Sequence, residues 1–494
     1  MHRDRRYSLF QAATGIALAI LTVIAWTNVC LAADRPAPAF AGPMRIHPDK
    51  PRYFTDDTGR AIYLTGAHTW RTVQDAATSF PPAAFDFAEF LDLLGKHDHN
   101  FVRLWIFESP AWVRPDSTIL WLDPLPFQRT GPGTAADGRP KFDVTRFNET
   151  FFDRLRSRVV AAGDRGMYVG VMLFQGFSVS RKSRSRRDTP WTYHPFHQAN
   201  NINGIDGDLN GDGEGYESHE LRVPEITRVQ EAYVRKVVDT VNDLDHVIFE
   251  IGNECHGGST AWQYHMINVI RRYEQTKPKQ HPVWMTFQWD GMDGSGTNRD
   301  LFESTAEAIS PGSASGAAKK AYELDPPAAT GDKVVVVDTD HVNPGNLNRA
   351  DWVWKCFTRG LHPIFMDNPP IRGNDKHPTL ADWAPDGPSA KTRAAMGHTL
   401  MYARKMNLAA MTPRNALSTT SYCLAAPGKE YLIYRPGDGA FQVQLEGRDN
   451  ATFAVEWFDP KTGSVTKGKQ VKALGRVHFE PPFVGDAVLY LKVQ

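Results

Sequence analysis

The chain is poor in cysteine, carries no surplus of charge, and has no apolar run long enough for a bilayer. There are four cysteines in 494 residues. Cys30 belongs to an N-terminal segment read below as removed. The remaining Cys255, Cys356 and Cys423 are odd in number, which argues against a disulfide framework in an exported protein. The 56 basic and 56 acidic residues cancel, so the electrostatic footprint of a nucleic-acid partner is missing. The apolar stretch from Gly15 to Trp26 is short of a membrane's thickness. There is no Gly-rich turn after the first predicted strand, which argues against a nucleotide-binding open sheet. There is no His-Glu-x-x-His string, so a metal-dependent hydrolase lacks its ligand motif.

The composition that is present suits a soluble globular protein, with 41% apolar and 23% charged residues. Aromatic residues make up 11%, including 13 tryptophans, and tryptophan suits sugar stacking as well as a large core. Arg3, Arg5 and Arg6 precede the short apolar stretch, and Cys30-Leu-Ala-Ala33 offers small residues for cleavage. Residues 1–33 therefore read as a signal peptide, and the expected location is secreted or periplasmic, with no membrane attachment after cleavage. Residues 34–44 are Pro/Ala-rich and read as a linker.

The chain is organised around His246-Val-Ile-Phe-Glu-Ile-Gly-Asn-Glu-Cys-His256. Val247, Ile248, Phe249 and Ile251 form a short apolar run that reads as a buried parallel strand. It ends on Asn253 and Glu254. A lead-in hairpin around Asp56-Asp57-Thr58-Gly59 precedes a first strand end at Gly66-Ala-His-Thr-Trp70. Further strands are expected at 100–107, 167–173, 283–287, 333–337 and 362–366. A sixth unit within 301–310 is blurred. Helical spacing intervenes at Phe87/Phe90/Leu91/Leu94, Phe151/Leu155/Val159, Val229/Tyr233/Val237, Trp262/Met266/Val269 and 352–358, with a closing helix at Met396/Leu400/Ala403. Eight alternations predict a (β/α)₈ barrel over 45–412. From 413 to 494 the period changes to two, with Phe441/Val443/Leu445 and Phe453/Val455/Trp457 between turn signals. That predicts a small antiparallel β-sandwich.

Polar strand ends of such a barrel share one rim. They supply His68, Trp70, Arg103, Trp105, Glu108, Gln175, Asn253, Glu254, His256, Gln288, Trp289, Asp290, Asp338, Asp340, His341, Asp367 and Asn368. Opposed carboxylates with an arginine and tryptophans between them suit glycosidic bond hydrolysis, in which one carboxyl is protonated and the other ionised. Cys255 reads as a small buried filler rather than a nucleophile.

The strand ending Gly252-Asn253-Glu254, with Arg103 in Asn-Phe-Val-Arg-Leu-Trp, resembles the clan A glycoside hydrolases, retaining (β/α)₈ enzymes. The opening Tyr53-Phe-Thr-Asp-Asp-Thr-Gly59 with Tyr63-Leu-Thr-Gly-Ala-His-Thr-Trp70 is similar to secreted bacterial members with cellulase-like or apiosidase-like barrels. These often carry a small β-sandwich of the type labelled collagen-binding, a label that does not by itself predict collagen binding. The resemblance covers residues 45–494. It implies that Glu254 is the acid/base, that Asn253 binds the neighbouring sugar hydroxyl, and that Arg103 supports a nucleophile on the seventh strand. The clan's nucleophile is usually glutamate; here Asp338-Thr-Asp340-His341 stands there. Asp338 follows the apolar run directly and is preferred over Asp340, which shares its pleat parity. His68, Trp70, Trp105, His256, Trp289 and His341 are the further substrate-binding expectations. The expected activity is retaining hydrolysis of a plant or microbial polysaccharide or oligosaccharide, with no cofactor in the chemistry. The aspartate replacement favours the alternative, a non-catalytic carbohydrate-binding or adhesion protein on the same barrel.

One more motif stands in the loop after the third strand. Asp206, Asp208, Asn210, Asp212 and Glu217 follow the calcium-loop spacing, with Gly211 at the sharp turn. A structural Ca²⁺ is expected there. The basic run Arg181–Arg187 reads as a solvated loop able to meet an acidic sugar.

Overall fold

A computed structural model describes residues 40–114, 117–180, 188–289, 296–312, 317–342, 349–367, 389–447, 451–472 and 475–494. The expected signal peptide, the run 181–187, Asp290 and Asn368 lie outside the described residues. Among those residues no helix is long and apolar enough to cross a membrane.

Eight parallel strands close into a barrel: β1 (Gly66–His68), β2 (Phe101–Leu104), β3 (Tyr168–Gln175), β4 (Val247–Asn253), β5 (Val283–Thr286), β6 (Ala308–Ser310), β7 (Val334–Asp338) and β8 (His362–Met366). Each pairs with the next in chain order, and β8 returns to β1. Every residue of β4 and β7 is buried, because a barrel strand is covered by helices outside and packed side chains inside. Val247, Phe249 and Ile251 join the outer helix–strand core, so Ile248, Glu250 and Gly252 have the inward parity. Gly66 opens β1 because a Cβ there would sit 1.9 Å from the Phe101 carbonyl oxygen.

The barrel helices are α1 (Phe87–Lys96), α2 (Glu149–Gly163), α3 (Pro224–Val241), α4 (Thr260–Glu274), α5 (Asn298–Glu303), α6 (Ala317–Leu324), α7 (Ala350–Thr358) and α8 (Ala390–Lys405). In α1 the Asp86 carboxylate caps the Glu89 amide, and Phe87, Phe90, Leu91 and Leu94 are buried. The blurred sixth unit resolves into the six-residue α5 and the three-residue β6. Both are too short to carry a readable period. Between β2 and α2 the chain adds structure that has no counterpart in the sequence reading. Ala111–Val113 and Ile119–Asp123 form a sheet with Asp75–Ala77, and Phe127–Thr134 pairs with Pro140–Phe147.

The C-terminal strands are β9 (Thr412–Pro413), β10 (Cys423–Ala426), β11 (Glu430–Arg435), β12 (Phe441–Leu445), β13 (Thr452–Asp459), β14 (Ser464–Lys472), β15 (Gly475–Phe479) and β16 (Ala487–Val493). They form a six-stranded antiparallel sheet, β9-β10-β11-β16-β13-β14, and the ribbon β12-β15. Period two assigns the faces. Tyr431 and Ile433 enter the sandwich core with Phe441, Val443 and Phe479. Leu432 and Tyr434 enter the barrel core with Trp354 of α7 and Tyr402 of α8. The Trp354 indole stacks on Tyr434 at 6.1 Å and meets Phe458 at 5.8 Å. With both faces covered, β11 is buried for five of its six residues. The sandwich is therefore part of the barrel's hydrophobic support. Trp354→Ala should cost about 3–5 kcal/mol, read as a lowered melting temperature by calorimetry. A melting curve like wild type would show that this contact contributes little. Cys255, Cys356 and Cys423 are all free and buried.

Candidate active site

The centre of the barrel is one arginine. β2 turns Arg103 inward, where its residue exposure is 0%. The guanidinium lies over Trp105 at 4.7 Å and Trp284 at 5.4 Å. Its Nε and Nη2 donate to the two oxygens of Glu250, each at 2.6 Å. Nη1 donates to Asp338 Oδ2 at 3.1 Å, and Nη2 also reaches Asn253 Oδ1 at 2.8 Å. Asp340 Oδ2 lies 4.0 Å from Nη1. One cation thus serves two fully buried carboxylates and faces a third.

Glu250 was missed by the sequence reading. Its signal was a lone carboxylate inside an apolar parallel strand, which demands a buried cation opposite. Burial raises its proton affinity, and Arg103 only partly offsets that.

Asp338 is wholly buried with both oxygens engaged. Its Oδ1 accepts from His68 Nε2 at 3.0 Å and from the Asp340 backbone amide at 3.0 Å. Burial alone would raise its pKa, but His68 and Arg103 reverse this and hold the carboxyl well below the usual range. Asp340, two residues on, sits in the helical turn Thr339–Val342 with 12% of its side chain exposed. Burial, then the charges of Glu254 and Asp338, push its pKa well above the carboxylate range, against the pull of Arg103. Glu254 is thus near enough for its charge to act on Asp340.

Asn253 ends β4, and its amide is oriented from both sides. Oδ1 accepts from Arg103 and from His341 Nε2 at 2.8 Å, which leaves Nδ2 toward Asp340. Ser310 Oγ lies 3.2 Å from His341 Nδ1, so His341 is held from β6 as well. Glu254 follows in the left-handed region with φ +49°. For a residue with a Cβ this costs about 1–2 kcal/mol, and such strain concentrates at functional sites.

The other expected residues divide. His68 is fully buried and stacks on Trp105 at 5.2 Å; both lie in the layer beneath the rim. Trp70 is half-buried, edge-on to Trp112 at 4.3 Å. Trp289 is 38% exposed at the end of β5. His256 is buried, with Nε2 3.2 Å from the Tyr216 carbonyl oxygen and Nδ1 accepting from the Gly258 amide. Trp112, half-buried beside Trp70 and Phe177, was not anticipated, because the 109–146 segment carried no strand pattern that placed it.

In the 206–217 loop the oxygens turn onto backbone amides. Asp206 accepts from the Asp208 amide, and Asp208 from those of Gly211, Asp212 and Gly213. Asn210 Nδ2 donates to Asp212 Oδ2 at 2.9 Å. Glu217 is buried, 3.8 Å from Arg222. Among the described residues no group of three or more His, Cys, Asp or Glu side chains is arranged to hold a metal ion.

With this geometry in view, comparison with solved structures places the fold among glycoside hydrolases. One structure described as a glycoside hydrolase aligns with a TM-score of 0.58 at 11% identity, covering 93% of this chain and 98% of that one. A glycoside hydrolase family 5 protein from Bacteroides vulgatus aligns with a TM-score of 0.61 at 12% identity, covering 93% of this chain and 95% of that one. At such identities the likeness is one of fold. The family model of a domain of unknown function, DUF6298, matches residues 120–295, a span that contains Glu250, Asn253 and Glu254. The model described as "Putative collagen-binding domain of a collagenase" matches residues 411–492. A search of curated protein sequences returns no match.

Proposed function

We propose that the chain is an exported glycoside hydrolase that cleaves a polysaccharide or oligosaccharide with Glu254 and Asp340 as its two reacting carboxyls. The observation that carries this reading is that both carboxyls follow the carboxyl ends of barrel strands β4 and β7, within electrostatic reach of each other and of the fully buried Arg103. After burial, the charge of Glu254 helps to raise the proton affinity of Asp340. Glycoside hydrolysis needs two such carboxyls, one protonated and one ionised. Glu254 protonates the glycosidic oxygen and later activates water. Asp340 attacks the anomeric carbon as the carboxylate, the form that Arg103 at 4.0 Å favours and that burial and the neighbouring carboxylates oppose. Asn253, fully buried with Nδ2 toward Asp340, orients that carboxyl against the neighbouring hydroxyl. Trp70 and Trp289 offer half-buried and exposed indole surface for a sugar ring.

The preference for Asp338 as nucleophile is revised within this proposal. A nucleophile must touch the anomeric carbon, and Asp338 has no exposed surface and no free oxygen. It anchors His68, Arg103 and the Asp340 amide instead. The proposed outcome is retention, tested by following the first-released anomer by NMR; the inverted anomer would make Asp340 a general base. In azide rescue, Asp340→Gly should yield a glycosyl azide and Asp338→Gly should not. The reverse result would restore Asp338.

Export rests on the basic and apolar N-terminal segment. No cofactor takes part in the proposed chemistry. A calcium ion at the 206–217 loop is proposed on its donor set alone, since a ligand that binds only the folded state raises stability. Calcium added after EDTA treatment should raise the melting temperature; an unchanged curve would remove the ion from the account.

A further inference from the structure

Behind Glu254 lies a second set of buried polar groups that the proposed chemistry does not use. Glu108, just beyond β2, is 8% exposed, and His219 is fully buried. His219 Nε2 donates to Glu108 Oε2 at 3.0 Å. Glu108 Oε2 also accepts the Gln175 backbone amide at 2.8 Å. The carboxylate thus ties the end of β3 to the loop that carries His219. The imidazole stacks on Trp262 of α4 at 4.5 Å, meets Phe174 edge-on, and contacts the Cys255 thiol. Its segment is held in turn by Gln230, whose Nε2 donates to the Ser218 carbonyl oxygen at 2.8 Å while its Oε1 accepts from Trp262.

These contacts converge on the peptide that carries Glu254. Gln175 precedes Gly176, and a Cβ at Gly176 would sit 2.2 Å from the Glu254 carbonyl oxygen and 2.6 Å from the Cys255 Cα. Cys255 is the next residue after Glu254 and is itself pressed against Gly252. The left-handed turn at Glu254 is therefore enclosed by two supports. One is the bare backbone of Gly176, placed by Glu108 through Gln175. The other is Cys255, whose thiol lies within electrostatic reach of His219. A strained backbone persists only when its surroundings over-determine it.

We propose that the Glu108–His219 ion pair is a positioning device that holds the Glu254 backbone in its strained, reactive conformation. The inference rests on the hydrolase reading of Glu254. The pair touches no substrate; it acts through Gly176 and Cys255. A single substitution would leave one buried partner uncompensated and risk misfolding. The test is therefore the double variant Glu108→Gln/His219→Gln, which keeps polar partners of similar size without charge, beside Gly176→Ala. The crystal structure of the double variant should show Glu254 relaxed out of positive φ. On the polysaccharide that wild type cleaves, kcat should fall on the order of 10²-fold, the scale of a small misplacement of a reacting group. KM should stay within about twofold, because substrate binding is untouched. Gly176→Ala should show the same split. A double variant that retains positive φ at Glu254 would reduce the pair to a structural contact and overturn the proposal, whatever its kcat. Because the crystal conformation needs no turnover, it decides the positioning role even if wild type hydrolyses nothing on a panel, an outcome that would sink only the hydrolase reading.

Discussion

Glu254→Gln is expected to fold as wild type does and to lose turnover by ~10²–10⁴-fold, the range contributed by a general acid. The substitution keeps side-chain volume and removes the transferable proton. The backbone makes a further, unusual expectation available. Glu254 stands at φ +49°, a conformation that asparagine tolerates better than glutamate. Glu254→Asn should therefore lose activity while gaining up to about 1 kcal/mol of stability. A variant that melts lower than wild type would mean that the strain at Glu254 is already relieved by its contacts. Activity retained in both variants would take Glu254 out of the chemistry.

Arg103→Met is the substitution with the largest expected effect on stability. It leaves Glu250 and Asp338 buried without their cation, and stranding a buried charge costs about 3–5 kcal/mol. The expected result is a steeply lowered melting temperature or no soluble protein. Arg103→Met combined with Glu250→Met should recover much of the loss, because an apolar replacement of a buried ion pair is close to neutral. Failure of that recovery would show that the cost lies with Asp338 or with packing on Trp105 and Trp284. The same cluster sets an acid limit. The pKa of Asp338 is lower in the folded state than in the unfolded one. Its stabilising contribution is thus present above the usual carboxylate range and is lost as pH falls below it. Asp338→Asn should flatten this acid slope in a series of melting curves.

Most of the barrel was legible because its strands are short, apolar and bounded by helical spacing. β4, β7 and β8 fall within a residue or two of their expected limits for that reason. β6 was not legible because three residues carry no period. The segment joining β2 to α2 was not legible either: Ile119–Asp123 pairs with Asp75–Ala77 more than 40 residues upstream, which leaves no local trace, and the Phe127–Thr134/Pro140–Phe147 ribbon breaks its period with register shifts. The rim residues Asn253 and Glu254 were readable from a polar pair ending an apolar strand. The difference in burial between Asp338 and Asp340 was not. Parity makes them equivalent, and only the ring of donors from His68, Arg103 and the Asp340 amide sets Asp338 apart as the wholly buried one. The support behind Glu254 was also hidden. Glu108, Gly176 and His219 are scattered along the chain and become one unit only when β2, β3 and the loop before α3 meet.

The most direct test of the account is release of reducing sugar from a panel of plant and microbial polysaccharides by wild type, Glu254→Gln, Asp340→Asn and Asp338→Asn, each first shown to be folded. The account predicts that wild type hydrolyses at least one polymer and that Glu254→Gln and Asp340→Asn both lose that activity by orders of magnitude. Asp338→Asn, if folded, should retain more activity than Asp340→Asn. Undiminished hydrolysis by Glu254→Gln and Asp340→Asn, or saturable polysaccharide binding by a wild type that hydrolyses none of the panel, would contradict it.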